Sequence, residues 1–461
     1  MVATNRAAHE AFGLSWPGAF FPYQTAGIER LLQQPSVLLA DEMGLGKTVQ
    51  VVAALRLLIR RGDVSNALIV CPAGLVLQWR RHLRQWAPDL VLSTVMGTAE
   101  QRRKAWAVPA TVFVTGYEAL RSDFPIHEPW GPGRRNWDVA VIDEAQRIKN
   151  GETDITLAVK RLKRMRAWAL TGTPLENSLD DLISILDFVA PGRFMPGMMA
   201  VGLRMLLAEV QLRRKRAEVL FDLPPKLVTT VDIELTRRQR ATYRRAHEEG
   251  LLRLRSLGRD LRITHVLELI LRLKQICNIC PDSGESSKLA HLRERLAAVV
   301  AAGEKALVFS QFVEEPFGVR WIAREFADLA PVLLTGDLDA AARTARVADF
   351  ERDPARRVMM LSLRAGGVGL NLTEASHVIH FDRWWNPALE TQAEDRVHRI
   401  GQTRPVQVSA YLCDDTIEQR IDEILSEKRE LFADVIDGVG IRSLRRLDLD
   451  TLLTAVQPRR W

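Results

Sequence analysis

Ten short apolar runs, five toward each end of the chain, limit its fold more than any other feature. The first set is VLLA (37–40), ALIVCP (67–72), TVFVTG (111–116), DVAVID (138–143) and AWALTG (167–172). The second is KALVFSQ (305–311), PVLLTG (331–336), VMMLSL (358–363), HVIHFD (377–382) and VQVSAYL (406–412). Runs that are apolar throughout read as strands buried on both faces. Helical stretches separate most of them, such as TVQVVAALRLLIRRG and LVLQWRRHLRQW. Strand–helix alternation predicts parallel sheets covered on both sides, an α/β fold. Between about 193 and 280 the pattern changes to basic helix with a Pro224-Pro225 break, and PDSGESS (281–287) reads as an exposed loop. The predicted organisation is a first α/β lobe (1–192), a helical insert (193–281), a second α/β lobe (282–437) and a tail (438–461). Within the second lobe, EQRIDEILSEKRELFADVI (418–436) reads as an amphipathic helix packed on the body.

Composition narrows the class. Hydrophobic residues are 47% and charged residues 26%, so a packed core is expected and disorder is not. The formal net charge of +7 suits a polyanion partner. The N-terminal stretch lacks the apolar core of a signal peptide, and no apolar run approaches the ~18 residues of a membrane span. Four cysteines make no disulfide framework. The C-x-x-C of Cys277 and Cys280 has no second pair, so it reads as a reduced, buried helix end rather than a four-ligand zinc site. The expectation is a soluble, cytoplasmic protein.

Two stretches carry chemistry. DEMGLGKT (41–48) follows the run VLLA and precedes a helical stretch, the setting in which Gly44, Gly46, Lys47 and Thr48 grip phosphates. Backbone amides and a helix N-terminus would face the phosphates, Lys47 would add a point charge, and Thr48 would offer a hydroxyl to Mg²⁺. Asp41 stands where the strict pattern has glycine, so a Gly-rich turn is the competing reading. DVAVIDEAQ (138–146) ends an apolar strand in Asp143 and Glu144, at the strand edge where ligands bind in open α/β sheets. Asp143 suits Mg²⁺ and Glu144 suits activation of water; an acidic helix cap is the plainer alternative.

With LTGTPLENS (170–178), LVFSQF (307–312), LRAGGVGLNL (363–372), FDRWWNP (381–387) and QAEDRVHRIGQ (392–402), these stretches resemble, in order, the motifs of the Swi/Snf-type DNA-dependent ATPases of helicase superfamily two. The resemblance runs from about residue 20 to 436. It implies two RecA-like lobes, ATP with Mg²⁺, and double-stranded DNA as partner, with a DNA-bound target protein or a targeting subunit. Asp41 is ordinary in that family. Gln24 would read adenine, Gln146 and Thr171-Gly172-Thr173 would couple the ATP site to DNA, and Pro72 with Thr115, Gly116 and Tyr117 would touch the DNA backbone. In the second lobe Gly369 and Gln392 would contact nucleotide. Gln311, Ser362, Arg364 and Trp385 would meet DNA, although Trp384 and Trp385 could equally be packed aromatics. Arg213, Arg214, Lys215 and Arg216 match a family signature or form a solvated basic face. LRLKQICNICP resembles another family signature, which accounts for the C-x-x-C without metal.

Gln392, Arg396 and Arg399, spaced four and three apart, suit one face of a helix. The resemblance makes Arg396 and Arg399 arginine fingers, worth about 10³–10⁵ in rate. The expected activity is a monomeric ATP-driven motor that tracks along duplex DNA without separating strands and displaces bound protein. Rival readings are a strand-separating helicase, a P-loop small-molecule kinase and a non-hydrolysing DNA-binding scaffold.

Overall fold

The computed structural model describes residues 9–172, 179–195, 198, 200–220, 223–363, 372–384, 387–424, 453, 454 and 456. The chain forms two compact units, residues 1–221 and 222–461.

In the first unit a small hairpin, β1 (His9–Ala11) and β2 (Leu14–Trp16), precedes the main sheet. That sheet contains β3 (Ser36–Leu39), β4 (Ala67–Cys71), β5 (Leu92–Val95), β6 (Val112–Gly116), β7 (Asn136–Asp143), β8 (Lys163–Leu170) and β9 (Gln211–Leu212), in spatial order β5-β6-β4-β7-β8-β3-β9. Every pairing is parallel. All five runs expected here are strands. The two not anticipated are edge strands: β5 is alternately half-buried and buried, and β9 has two residues. The helices that matter for the site are α1 (Pro22–Gln33), α2 (Lys47–Arg61) and α3 (Val76–Trp86). Nine consecutive residues of α2, Gln50–Leu58, are buried, so this helix is covered on all sides rather than on one face.

The second unit holds β10 (Lys226–Ile233), β11 (Ala306–Ser310), β12 (Val332–Leu334), β13 (Val358–Ser362), β14 (His377–His380) and β15 (Val406–Cys413). Their order is β10-β15-β14-β11-β13-β12, again all parallel. All five runs expected in this half are strands. The stretch 193–281, read as helical, also supplies β9 to the first sheet and β10 to the second. KLVTTVDI escaped a strand reading because Leu227–Thr230 are exposed at the sheet edge, so it lacks a continuous apolar run. Apolar clusters cover both faces: Leu307, Phe309, Leu361 and Val408 on one, Val308, Met360, Ile379 and Tyr411 on the other. That alternation along each strand is what a doubly covered sheet demands.

Cys277 and Cys280 are buried and diverge. The Cys280 thiol faces Thr242 Oγ1 at 3.6 Å, while the Cys277 sulfur lies with those of Cys413 and a Glu418 carboxylate within 4.8 Å of one another. The charge beside this group comes from Lys288, whose Nζ is 2.6 Å from Glu418, both side chains fully buried. Of the helix expected at 418–436, residues 417–424 are helical, with Ile417 and Ile421 buried in the core; the remainder lies outside the described residues. No helix among the described residues is long and apolar enough to cross a membrane.

Candidate functional site

The phosphate loop sits between the carboxyl end of β3 and α2. It turns through two left-handed glycines, Gly44 at φ +85° and Gly46 at φ +73°. A Cβ on Gly46 would run into the Gln24 amide, so glycine here lets that side chain pack directly against the turn. The first amides of α2 have no acceptor within their helix and point out of its N-terminus. Lys47 Nζ donates to Asp41 O at 2.6 Å and Glu42 O at 3.2 Å.

Gln24 braces this turn. Its Nε2 donates to Leu45 O at 3.3 Å and its Oε1 accepts from Phe21 N at 3.1 Å. Each end of the amide keeps one further bonding position, one acceptor and one donor, which is what an adenine edge requires. Asp41 is fully buried and ion-paired to Arg214. A carboxylate replaces the usual first glycine because a guanidinium 173 residues further on neutralises it. Arg214 and Arg216 therefore belong to the site, and the solvated-face reading of 213–216 does not hold for them.

Two strands across the sheet, β7 delivers the acidic pair. Asp143 Oδ2 accepts from Trp79 Nε1 at 2.8 Å and Oδ1 from Glu144 N at 2.9 Å. Burial pushes the Asp143 carboxyl up to about 6; the Glu144 charge adds to the rise, and the Trp79 bond and Lys47 oppose it. A divalent cation there would favour the carboxylate. Glu144 sits at φ +53°, a left-handed conformation that a side chain resists. Its Oε2 accepts from Gln146 Nε2 at 2.8 Å, and Gln146 Oε1 accepts from Thr171 Oγ1 at 3.1 Å. A chain of hydrogen bonds thus links the acidic pair to the end of β8, the strand between β7 and β3. Gly172 closes the circuit, since a Cβ there would overlap the Met43 side chain of the phosphate loop. The donor set fits a nucleoside triphosphate with Mg²⁺: an ammonium, a hydroxyl, helix-terminal amides and the half-buried Asp143 carboxylate.

Other expected residues fall differently. Thr115 and Tyr117 are buried, and their side chains serve the sheet: Thr115 Oγ1 donates to Val95 O at 3.3 Å, and Tyr117 Oη to Asp143 O at 2.7 Å. These two side chains do not form a surface for DNA. Gly116 backs onto the turn after the half-buried Pro72, where its Cβ would stand 3.5 Å from Ala73 Cα.

In the second unit the helix carrying Gln392, here α4, spans Pro387–Glu394. It ends before Arg396. The expectation of one helical face is corrected: Arg396 and Arg399 lie in the turns that follow. Gln402 fastens the turns that follow the helix: its Nε2 hydrogens are shared among Ala375 O at 2.8 Å, Thr373 O at 3.0 Å and Val397 O at 3.3 Å. Leu372 N takes the Arg396 carbonyl at 2.9 Å. Both arginines are half-buried and Gln392 is buried.

Gln311, Ser362 and Trp384 line a cavity of about 320 Å³ at the carboxyl ends of the second sheet, with Arg320 and Asp337 on its wall. Trp384 is half-buried and packs on the apolar core. Asp382 orders this edge, accepting from Ser310 Oγ, from Gln311 N at 3.0 Å and from Asn278 Nδ2 at 3.1 Å. Thr173, Arg364, Gly369 and Trp385 lie outside the described residues. Sequence reading missed Trp79, Tyr117 as a backbone anchor, and Arg214 as the partner of Asp41. Only the last left a trace, in the coincidence of an unusual aspartate and an arginine-rich signature.

A glycine-turned phosphate loop and an acidic strand end, on one of two RecA-like parallel sheets, define an ATP-hydrolysing P-loop enzyme. Residues 23–199 match the family model for the SNF2-related domain, and residues 287–401 match that for the helicase conserved C-terminal domain. The chain belongs to the SNF2-related family of ATP-dependent helicases. It is 33% identical over 491 residues to the putative ATP-dependent helicase/translocase YwqA of Bacillus subtilis, covering 98% of this chain and 52% of that relative. Over 479 residues it is 30% identical to the mouse SWI/SNF-related matrix-associated actin-dependent regulator of chromatin subfamily A member 1, covering 94% of this chain and 44% of the relative. A solved Sulfolobus solfataricus SWI2/SNF2 ATPase core in complex with dsDNA shares 33% identity, covering 91% of this chain and 93% of that one, with a TM-score of 0.43. This chain spans about half the length of the curated relatives it matches, 52% for the first described here.

Proposed function

We propose that the chain is an ATP-driven motor that tracks along double-stranded DNA without separating its strands, and that its output is displacement or remodelling of DNA-bound protein. The observation that carries the reading is the hydrogen-bonded chain Glu144–Gln146–Thr171. It gives the candidate water-activating carboxylate a defined orientation and ties it to a segment beyond the nucleotide loop. Lys47 and the α2 amides hold the β and γ phosphates, with Gln24 on the base. Thr48 and Asp143 would hold Mg²⁺, which neutralises charge on the transferring phosphoryl group. Glu144 takes a proton from the attacking water. Gln392 and Gly369 complete the nucleotide contacts, and Arg396 and Arg399 act on the γ-phosphate.

For DNA, Gln311, Ser362, Arg364 and Trp385, with the backbone near Pro72 and Gly116, are proposed to hold phosphates. Amides and polar side chains at strand ends can do so without reading sequence. Relatives named a helicase/translocase and a regulator of chromatin support this assignment. The working form is proposed to be a cytoplasmic monomer addressed by a partner or targeting subunit.

The test is ATP turnover with no nucleic acid, single-stranded DNA, duplex DNA and RNA, paired with displacement of a third strand from a triplex and unwinding of a labelled duplex. Duplex DNA should stimulate most, the third strand should be displaced and the duplex should stay paired. Affinity should fall steeply with salt and vary little with sequence. Equal stimulation by RNA or single strands, or efficient unwinding, would overturn the reading.

A further inference from the structure

After β9 the chain continues alongside the nucleotide loop. Ala40 N donates to Leu212 O at 2.8 Å, Glu42 N to Arg214 O at 3.0 Å, and Arg216 N to Glu42 Oε2 at 2.6 Å. This zipper runs beside the first residues of the loop, 40–42. Arg214 crosses it. Its Nε donates to Asp41 Oδ1 at 2.8 Å, one terminal nitrogen to Asp41 Oδ2 and to Gln50 Oε1 at 2.9 Å, and the other to Tyr23 O. Gln50 Nε2 in turn reaches Asp41 Oδ2 at 3.2 Å and Leu45 O at 3.3 Å. One guanidinium therefore joins α1, the phosphate loop, α2 and the 211–216 segment. Gly27 leaves room for it, since a Cβ there would overlap both Gln50 and Arg214.

The residues gripped from this side are also the ones that hold Lys47. Its ammonium is bonded to the carbonyls of Asp41 and Glu42, and Asp41 and Glu42 are the partners of Arg214 and Arg216. A triphosphate that draws Lys47 away removes the donor from both carbonyls and changes the load on the zipper. The same segment is the last part of the first unit before the chain passes to the second at 221–222.

We propose that Arg214 is a positioning residue that couples nucleotide occupancy of the 41–48 loop to the 211–220 segment, by which the chain leaves the first unit. The proposal rests on ATP binding at this loop. It does not depend on DNA or on turnover.

The test is hydrogen–deuterium exchange on the full chain with and without a non-hydrolysable ATP analogue and Mg²⁺, alongside titration of a fluorescent ATP analogue. In the wild-type chain the nucleotide should slow exchange in 211–220 by about tenfold or more. In R214Q that response should vanish while peptide 41–50 still responds, and nucleotide affinity should fall about tenfold. R214K should not restore the response, because an ammonium cannot reproduce the forked contacts. Since R214Q leaves a buried carboxylate without its partner, D41N/R214Q provides the control. It should recover thermal stability and still lack the 211–220 response. A wild-type chain that binds nucleotide without protecting 211–220, or a double variant that responds like wild type, overturns the proposal and leaves the ATP site intact. A wild-type chain that binds no nucleotide overturns both.

Discussion

The carboxyl edges of the two sheets are built from the same parallel topology and put charge to opposite uses. In the first unit the groups assigned to chemistry stand beside one buried pair, Asp41–Arg214. Glu144 and Lys47 are half-buried; Glu144 accepts from the Gln146 amide, and Lys47 donates to two backbone carbonyls. In the second unit the edge is held by buried ions. Lys274 and Lys288 donate to the carbonyls of Arg383 and Phe381, and Arg383 pairs with Glu390 at 2.7 Å and Asp422 at 2.6 Å. Glu390 Oε1 accepts from Trp384 N at 2.9 Å. A buried ion network is expensive to assemble and strongly destabilising to break, so it suits a place where loops must keep one geometry. The difference teaches that one sheet was fitted to change the charge on a substrate and the other to hold a shape.

The largest test of that contrast lies in the only second-unit residues assigned to chemistry. Arg396→Ala and Arg399→Ala should each lower DNA-stimulated turnover by about 10³–10⁵ in a phosphate-release assay. Full activity in both would confine the chemistry to the first unit and remove the proposed action of these arginines on the γ-phosphate. Next in size, Glu144→Gln should lower turnover by about 10²–10⁴ with nucleotide and DNA binding retained. Wild-type hydrolysis by this variant would remove the assignment of the base.

Lys288→Met should act on the other side of the comparison. Breaking a fully buried pair costs about 3–5 kcal/mol, so denaturant unfolding should show a destabilised second unit while the first still binds ATP analogue. An unchanged unfolding profile would mean that Glu418 finds another partner. The smallest effect is one of pH. Burial raises the Glu394 carboxyl, but the bond from His380 and the Lys226 charge outweigh it and hold the group down at about 2. With an unfolded value of about 4.3, Glu394 adds stability above that pH, and the gain is lost as pH falls from about 4 through about 2. The acid unfolding curve of Glu394→Gln should lose that component, measured as the difference from wild type.

The sequence was readable where one rule governed many neighbours. Strands covered on both faces announced themselves as apolar runs, and the phosphate loop and acidic pair could be assigned because their chemistry is contiguous. Legibility failed where a side chain far away decides. Nothing local in KLVTTVDI says that β15 will pair with it, and nothing near Asp41 points to residue 214. QAEDRVHRIGQ has helical spacing, yet the helix ends at Glu394, and the turns after it are tied to residues 372–375 through Leu372 N and the Gln402 amide. Tyr117 was misplaced for the same reason: its hydroxyl belongs to β7, which has not yet been made when the chain is read as far as residue 117.

The left-handed backbone at Glu144 has a consequence for how such a chain ages under selection. Folding by itself would prefer glycine at that position, where a side chain costs about 1 kcal/mol or more. A chain carrying Glu144→Gly would therefore be relieved of that strain and would lack the carboxylate proposed to activate water. Screens that reward endurance to heat without asking for work should drift toward glycine at that position, whereas screens for ATP turnover should keep the carboxylate.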